Sequence, residues 1–102
     1  MTDLLDQPIA VEQALQAAIS HHQLGQLAEA EAIYRQILIV QPEHADVLHL
    51  LGVLAHQLGN NTLAVQLIEN VITANPENPI YYSNLGLALQ GLGRLDEAVS
   101  CY

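Results

Sequence analysis

Apolar residues recur at helical spacing along nearly the whole chain. Leu48, Leu51, Gly52 and Ala55 fall at i, i+3, i+4 and i+7, which places them on one face of a helix. After the polar break Gly59-Asn60-Asn61 a second face begins, made of Ala64, Ile68, Val71 and Ile72. No stretch sustains the period-two alternation of a half-buried strand, and the apolar segments are too long for strands. The pattern predicts helices over 8–23, 27–40, 44–58, 61–74, 78–92 and 95–102. The residues between them fit this reading. Gly59 stands where a left-handed residue ends one helix, and Asn60, Asn61 or Thr62 can cap the next. Pro76 closes a unit; Asn78-Pro79 opens another with a capping side chain and a proline in the first turn, as Asp6-Gln7-Pro8 does at the start.

The helices come in repeated pairs. Gly25, Gly59 and Gly93 are each 34 residues apart, and so are Leu24, Leu58 and Leu92. Ala30, Ala64 and Ala98 keep the same register, as do Pro42 and Pro76. Four columns in one register mark a true repeat of two helices and a tight turn. This pattern resembles the tetratricopeptide repeat, which combines a 34-residue period with large and small residues at fixed places. The middle unit carries it as Leu48-x2-Leu51-Gly52-x2-Ala55, then Ala64-x3-Ile68, then Pro76. The third carries it as Tyr82-x2-Leu85-Gly86-x2-Leu89, then Ala98-x3-Tyr102. The first is degenerate, with Ala14, Ala17, Ala18 and His21 in place of the aromatic, Leu, Gly and Tyr, before Ala30, Tyr34 and Pro42 restore it. The expected organisation is a lead-in at 1–10 and repeats at 11–44, 45–78 and 79–102, the last truncated.

The resemblance implies an all-α, right-handed helix-turn-helix solenoid of about two and two-thirds repeats. Small residues are where the helices of a pair can close to ~8 Å. Gly52 and Ala64 would give that room in the middle unit, and Gly86 and Ala98 in the third, while Leu48, Leu51, Ile68 and Tyr82 fill the space. One hairpin buries too little to fold alone, so stability comes from stacked neighbours. The last helix stops in mid-repeat at Tyr102 with no polar capping helix, so the chain reads as a fragment of a longer repeat protein. Leu85, Ala88, Leu89 and Leu92 would then be incompletely covered, and that end could self-associate.

In such a solenoid the first helix of each unit lines a concave face, so residues off the packing stripe are the candidate partner-binding set. In the first unit these are Glu12, Leu15, Gln16, Ile19 and His22, with Gln23 beside them. The middle unit offers Asp46, His49, Leu50, Val53, His56 and Gln57. The third offers Ser83, Asn84, Leu87 and Gln90, flanked by Ile80 and Gly91. A mixed apolar and polar surface with a slight negative bias suits an extended peptide or a partner helix. Two binding modes of the family fit poorly. A carboxylate clamp needs Lys and Arg in the first helices, and an asparagine ladder finds Asn84 but Gln16 and Leu50 at the equivalent places.

Charge narrows the field further. The chain has 102 residues, a formal net charge of −9, no Lys, and only Arg35 and Arg94 as cations. Two arginines cannot form the positive stripe that nucleic acid or an anionic membrane surface requires. No apolar run reaches the ~18 residues of a membrane span, and the acidic N-terminus lacks the pattern of a signal peptide, so a cytoplasmic location is expected. Cys101 stands alone, with no sequence-evident activating partner. His22 and His56 are equivalent in the repeat and His49 lies two turns before His56, yet there is no HExxH and no second cysteine to complete a zinc site. Glu29/Glu31 and Asp96/Glu97 stand at second-helix starts, where carboxylates favour the helix dipole. No catalytic residue, cofactor or metal is therefore expected.

The function expected is non-catalytic binding of a protein or peptide in the concave groove. A second reading comes from Leu51-Gly52-Val53-Leu54-Ala55-His56-Gln57-Leu58-Gly59, Asn84-Leu85-Gly86 and Leu92-Gly93-Arg94-Leu95-Asp96-Glu97-Ala98. These resemble repeats ahead of bacterial glycosyltransferase domains of the protein O-GlcNAc transferase type, and repeats of some sulfotransferases. Such an arm would present substrate or assemble a larger enzyme. A third reading is a dimerisation module.

Overall fold

The computed structural model describes residues 8–93 of the chain. Five helices occupy them: α1 (Pro8–Gln23), α2 (Leu27–Val40), α3 (Ala45–Gln57), α4 (Asn61–Ala74) and α5 (Pro79–Gly91). They form an all-α array of helix-turn-helix repeats. The chain falls into two compact units, Met1–Val47 and Leu48–Tyr102. The helix expected over 95–102, with Arg94, Asp96, Glu97, Ala98, Cys101 and Tyr102, lies outside the described residues.

The turn between α1 and α2 follows from its glycine. Gly25 takes φ +79°, a left-handed conformation that costs a side-chain-bearing residue ~1–2 kcal/mol. That conformation lets the Gln26 N–H donate to the His21 carbonyl at 2.8 Å and the Gly25 N–H to the His22 carbonyl at 3.1 Å. Two otherwise orphaned carbonyls are thereby satisfied, as in a Schellman ending. The α3–α4 turn repeats the arrangement. Gly59 has φ +84°, Asn60 N–H reaches Ala55 O at 2.8 Å, and Gly59 N–H reaches His56 O at 3.0 Å. Asn60 then caps α4, accepting from Leu63 N–H at 3.3 Å. At α5, Asn78 accepts from Ile80 N–H at 3.0 Å and Pro79 takes the first helical position.

In the first unit α1 packs against α2. Val11, Leu15 and Ala18, one stripe at i, i+4 and i+7, are buried, and α2 answers with Ala30, Tyr34 and Ile37. In the second unit the core is Leu51, Leu54 and Ala55 from α3, Ala64, Val65, Ile68 and Val71 from α4, and Tyr81, Leu85, Ala88 and Leu89 from α5. Gly52 makes the close approach of α3 to α4 possible. A Cβ there would stand 2.8 Å from Ile68 Cγ1 and 3.5 Å from the Ala64 carbonyl oxygen. No buried side-chain polar atom among the described residues lacks a hydrogen-bond partner.

Several expectations need correction. Leu15, expected in the groove, is only 8% exposed. Val11 and Leu15 have the area worth burying, so they set the packing stripe of α1, while Ala17 turns to solvent. Val47 and Tyr81 are the buried members of their helix starts, not Leu48 and Tyr82, which are half-buried. Tyr82 stays nearer solvent because its hydroxyl donates to the Pro76 carbonyl at 2.8 Å. Leu85, Ala88 and Leu89 are buried, not incompletely covered as expected, so of the four only Leu92 is exposed. His44 is not the first residue of α3. Its Nδ1 accepts from Val47 N–H at 3.3 Å, which makes it the residue that caps the helix.

Candidate functional site

The first helices of the second and third repeats are α3 and α5; α3 from Leu48 onward and the whole of α5 belong to the second unit, and side chains join them directly. His49 on α3 lies against Tyr81 on α5, ring centroids 4.7 Å apart. Asn84 Nδ2 donates to His49 Nε2 at 2.6 Å. Further along the same helices, His56 Nδ1 donates to Asn61 Oδ1 at 2.5 Å. The Asn61 side chain in turn lies over Gly91 at the end of α5, where a Cβ would collide with it. One polar clasp thus holds α3 to α5 near their beginnings, and a second closes over their ends.

Between the clasps lie Val53 and Leu87, which are equivalent in the repeat. Val53 is half-buried and Leu87 is 43% exposed. Ile80, one turn before Asn84 on α5, is 60% exposed. Ser83, Gln57 and Gln90 are also exposed, while Leu50 is half-buried. The surface is therefore an uncharged strip of aliphatic side chains bounded by amides and imidazoles. Among the described residues of 48–93 there is no Lys or Arg, and the carboxylates are Glu69 on α4 and Glu77 in the turn before α5.

The first unit treats its candidates differently. His22 Nδ1 and Tyr34 Oη are hydrogen-bonded at 2.9 Å, with the rings edge-to-face at 5.9 Å. Burial pushes the Tyr34 phenol up to about 12, so it stays neutral across the ordinary pH range. His21 Nδ1 donates to Gln26 Oε1 at 2.6 Å. Glu12 and Gln16 are exposed and Ile19 is half-buried on α1; Asp46 is exposed in the first turn of α3. Leu15 is withdrawn into the core, as noted. The sequence reading placed His22, His49 and His56 among groove residues, but periodicity gave no sign of their partners. Tyr81 and Asn61, which build the two clasps, were missed because they lie outside the repeat's strongest columns.

Among the described residues no three His, Cys, Asp or Glu side chains gather as a metal ion would need. No helix there is long and apolar enough to cross a membrane.

The profile of the family described as tetratricopeptide repeat matches residues 15–79 and again 57–102. Human tetratricopeptide repeat protein 7A is 30% identical over 78 residues, which is 76% of this chain and 9% of that protein. A solved structure of MamA, MSR-1 C2, is 33% identical with a TM-score of 0.80, over 89% of this chain and 52% of that one. The O-GlcNAc transferase of Thermobaculum terrenum, solved as a mutant, is 26% identical with a TM-score of 0.75, over 89% of this chain and 19% of that one. The chain thus spans under a tenth of the curated relative's length and about half of the MamA chain.

Proposed function

The chain belongs to the tetratricopeptide repeat family, and we propose that it works as a non-catalytic binding module for a protein or peptide. The binding surface is the α3–α5 strip of the second unit; on the first unit, Glu12 and Gln16 of α1 are exposed first-helix residues of the same kind. The observation that carries this reading is the pair of clasps. His49 with Tyr81 and Asn84, and His56 with Asn61 over Gly91, engage the imidazoles at both ends. Val53 and Leu87 remain between them as apolar area without a buried role, the kind of surface that a partner's side chains desolvate.

Selection of a random peptide library against the full chain tests it. Recovered peptides should lose capture on substitution of Leu87→Glu, with Val53→Glu as a second variant, while helical content and melting are unchanged for Leu87→Glu. Binders that ignore both substitutions, and are lost instead on Glu69→Lys on α4, would refute the groove assignment.

A second reading is favoured by the likeness to the Thermobaculum terrenum O-GlcNAc transferase. In this reading the α3–α5 surface would serve as the substrate-presenting or assembly arm of a larger glycosyltransferase or sulfotransferase, itself chemically inert. Both readings place partner contact on α3 and α5.

A further inference from the structure

We propose that the occupant of the α3–α5 strip is a cationic peptide segment that anchors through aliphatic side chains; this rests on the groove reading above and adds the partner's chemistry. Three features point to it. The first is the one-sided charge of the molecule. Residues 8–93 carry Glu12, Glu29, Glu31, Glu43, Asp46, Glu69 and Glu77 against the single cation Arg35. Arg35 is already held by Glu31 on its own helix at 3.3 Å. An acidic partner would find no counter-charge there and would meet the field of a chain with net charge −9. A second copy of the chain carries the same −9 and is repelled for the same reason.

The second feature is the neutrality of the strip. Neither α3 from Leu48 onward nor α5 carries a Lys or Arg, so no fixed cation stands where the partner's cations would pass. Lysine and arginine stems can lie along Val53 and Leu87 while their charged ends remain in water. The third is the edge of the strip. Ile80 is 60% exposed, and Glu77 is exposed three residues before it, in the turn that leads into α5. An exposed aliphatic anchor and an exposed carboxylate thus stand three residues apart in the chain at the start of α5. A segment alternating basic and aliphatic residues satisfies both.

The arrangement divides the work. The aliphatic contacts on Leu87, Val53 and Ile80 supply affinity, and the carboxylates supply steering and choice of partner. Steering of this kind weakens as salt shortens the reach of the field.

Fluorescence anisotropy on the full chain tests the proposal with three labelled peptides. Each places leucine at every third position, with lysine, glutamate or serine between. The lysine peptide should bind tightest, and its affinity should fall as ionic strength rises. Leu87→Ser should weaken it roughly tenfold, as for loss of one anchoring side chain. Glu77→Gln should weaken it roughly two- to threefold and flatten the salt dependence. Ile39→Ser on α2, where Ile39 is 80% exposed, should leave binding unchanged. Equal or tighter binding of the glutamate or serine peptide, with Leu87→Ser still weakening it, overturns the cationic assignment and leaves the groove intact. Binding of the lysine peptide that ignores Leu87→Ser overturns the groove reading itself, because attraction to the acidic surface alone would explain it. Absence of binding by all three, or a concentration-dependent dimer that Leu87→Ser dissolves, also overturns the proposal.

Discussion

The hairpins α1–α2 and α3–α4 have nearly the same backbone and different interiors. Gln26 and Asn60, equivalent residues entering the second helices, have φ, ψ of −84°, 70° and −89°, 71°. Gln41 and Asn75, which end those helices, have −130°, 82° and −135°, 68°. The side chains agree far less. Ala18 and Tyr34 occupy in the first hairpin the places that Gly52 and Ile68 occupy in the second. His22 is spent on the Tyr34 hydroxyl, whereas His56 turns to Asn61 at the start of α4. Gln26 receives the His21 ring and makes no cap, whereas Asn60 caps α4. The lesson is that the repeat is enforced by the backbone of its turns. The space between the helices is filled by whichever pair has the right combined size.

That comparison can be broken where packing is tightest. Gly52→Leu should cost ~1–3 kcal/mol or more, because even its Cβ meets Ile68, a branched side chain with nowhere to withdraw. Urea denaturation measures it, and an unchanged midpoint would mean that small-against-large pairing does not hold the second hairpin. Next come the turns. Gly25→Ala and Gly59→Ala each meet nothing within 4 Å, so the whole penalty is conformational and should be ~1–2 kcal/mol at both. Unequal losses would show that the turns are not one device used twice. The smallest effect sharpens the contrast between the caps. Asn60→Ala should cost ~1 kcal/mol, and Gln26→Ala distinctly less, since only Asn60 accepts a backbone N–H. Thermal melts of the two variants side by side decide it.

Much of this architecture was legible in the residues. Helices predicted at 8–23, 27–40 and 61–74 match α1, α2 and α4 end for end, and α3 and α5 differ by one residue at each terminus. Positions that depend on backbone geometry alone, such as Gly25, Gly59 and Asn78, could be assigned because the relevant bonds are local. The candidate site was legible only as a face. Leu15 shows the limit. Its repeat register placed it with His49 and Ser83, yet it is buried, because an aliphatic side chain gains ~2 kcal/mol from burial and a serine does not. Tyr81 and Tyr82 show another, since two adjacent tyrosines cannot be ranked by periodicity when the choice turns on one hydroxyl finding the Pro76 carbonyl.

The sequence by itself determined the repeat, its period, the helix boundaries and the turn geometry. Each of these rests on contacts within about five residues, where the order of residues fixes what can meet. Only the tertiary structure decided which histidine joins which partner. It placed His49 on Tyr81 and Asn84, more than thirty residues away, and laid Asn61 over Gly91. Those pairings depend on the distance and rotation between packed helices, set by the summed sizes of many side chains, and no local pattern carries them.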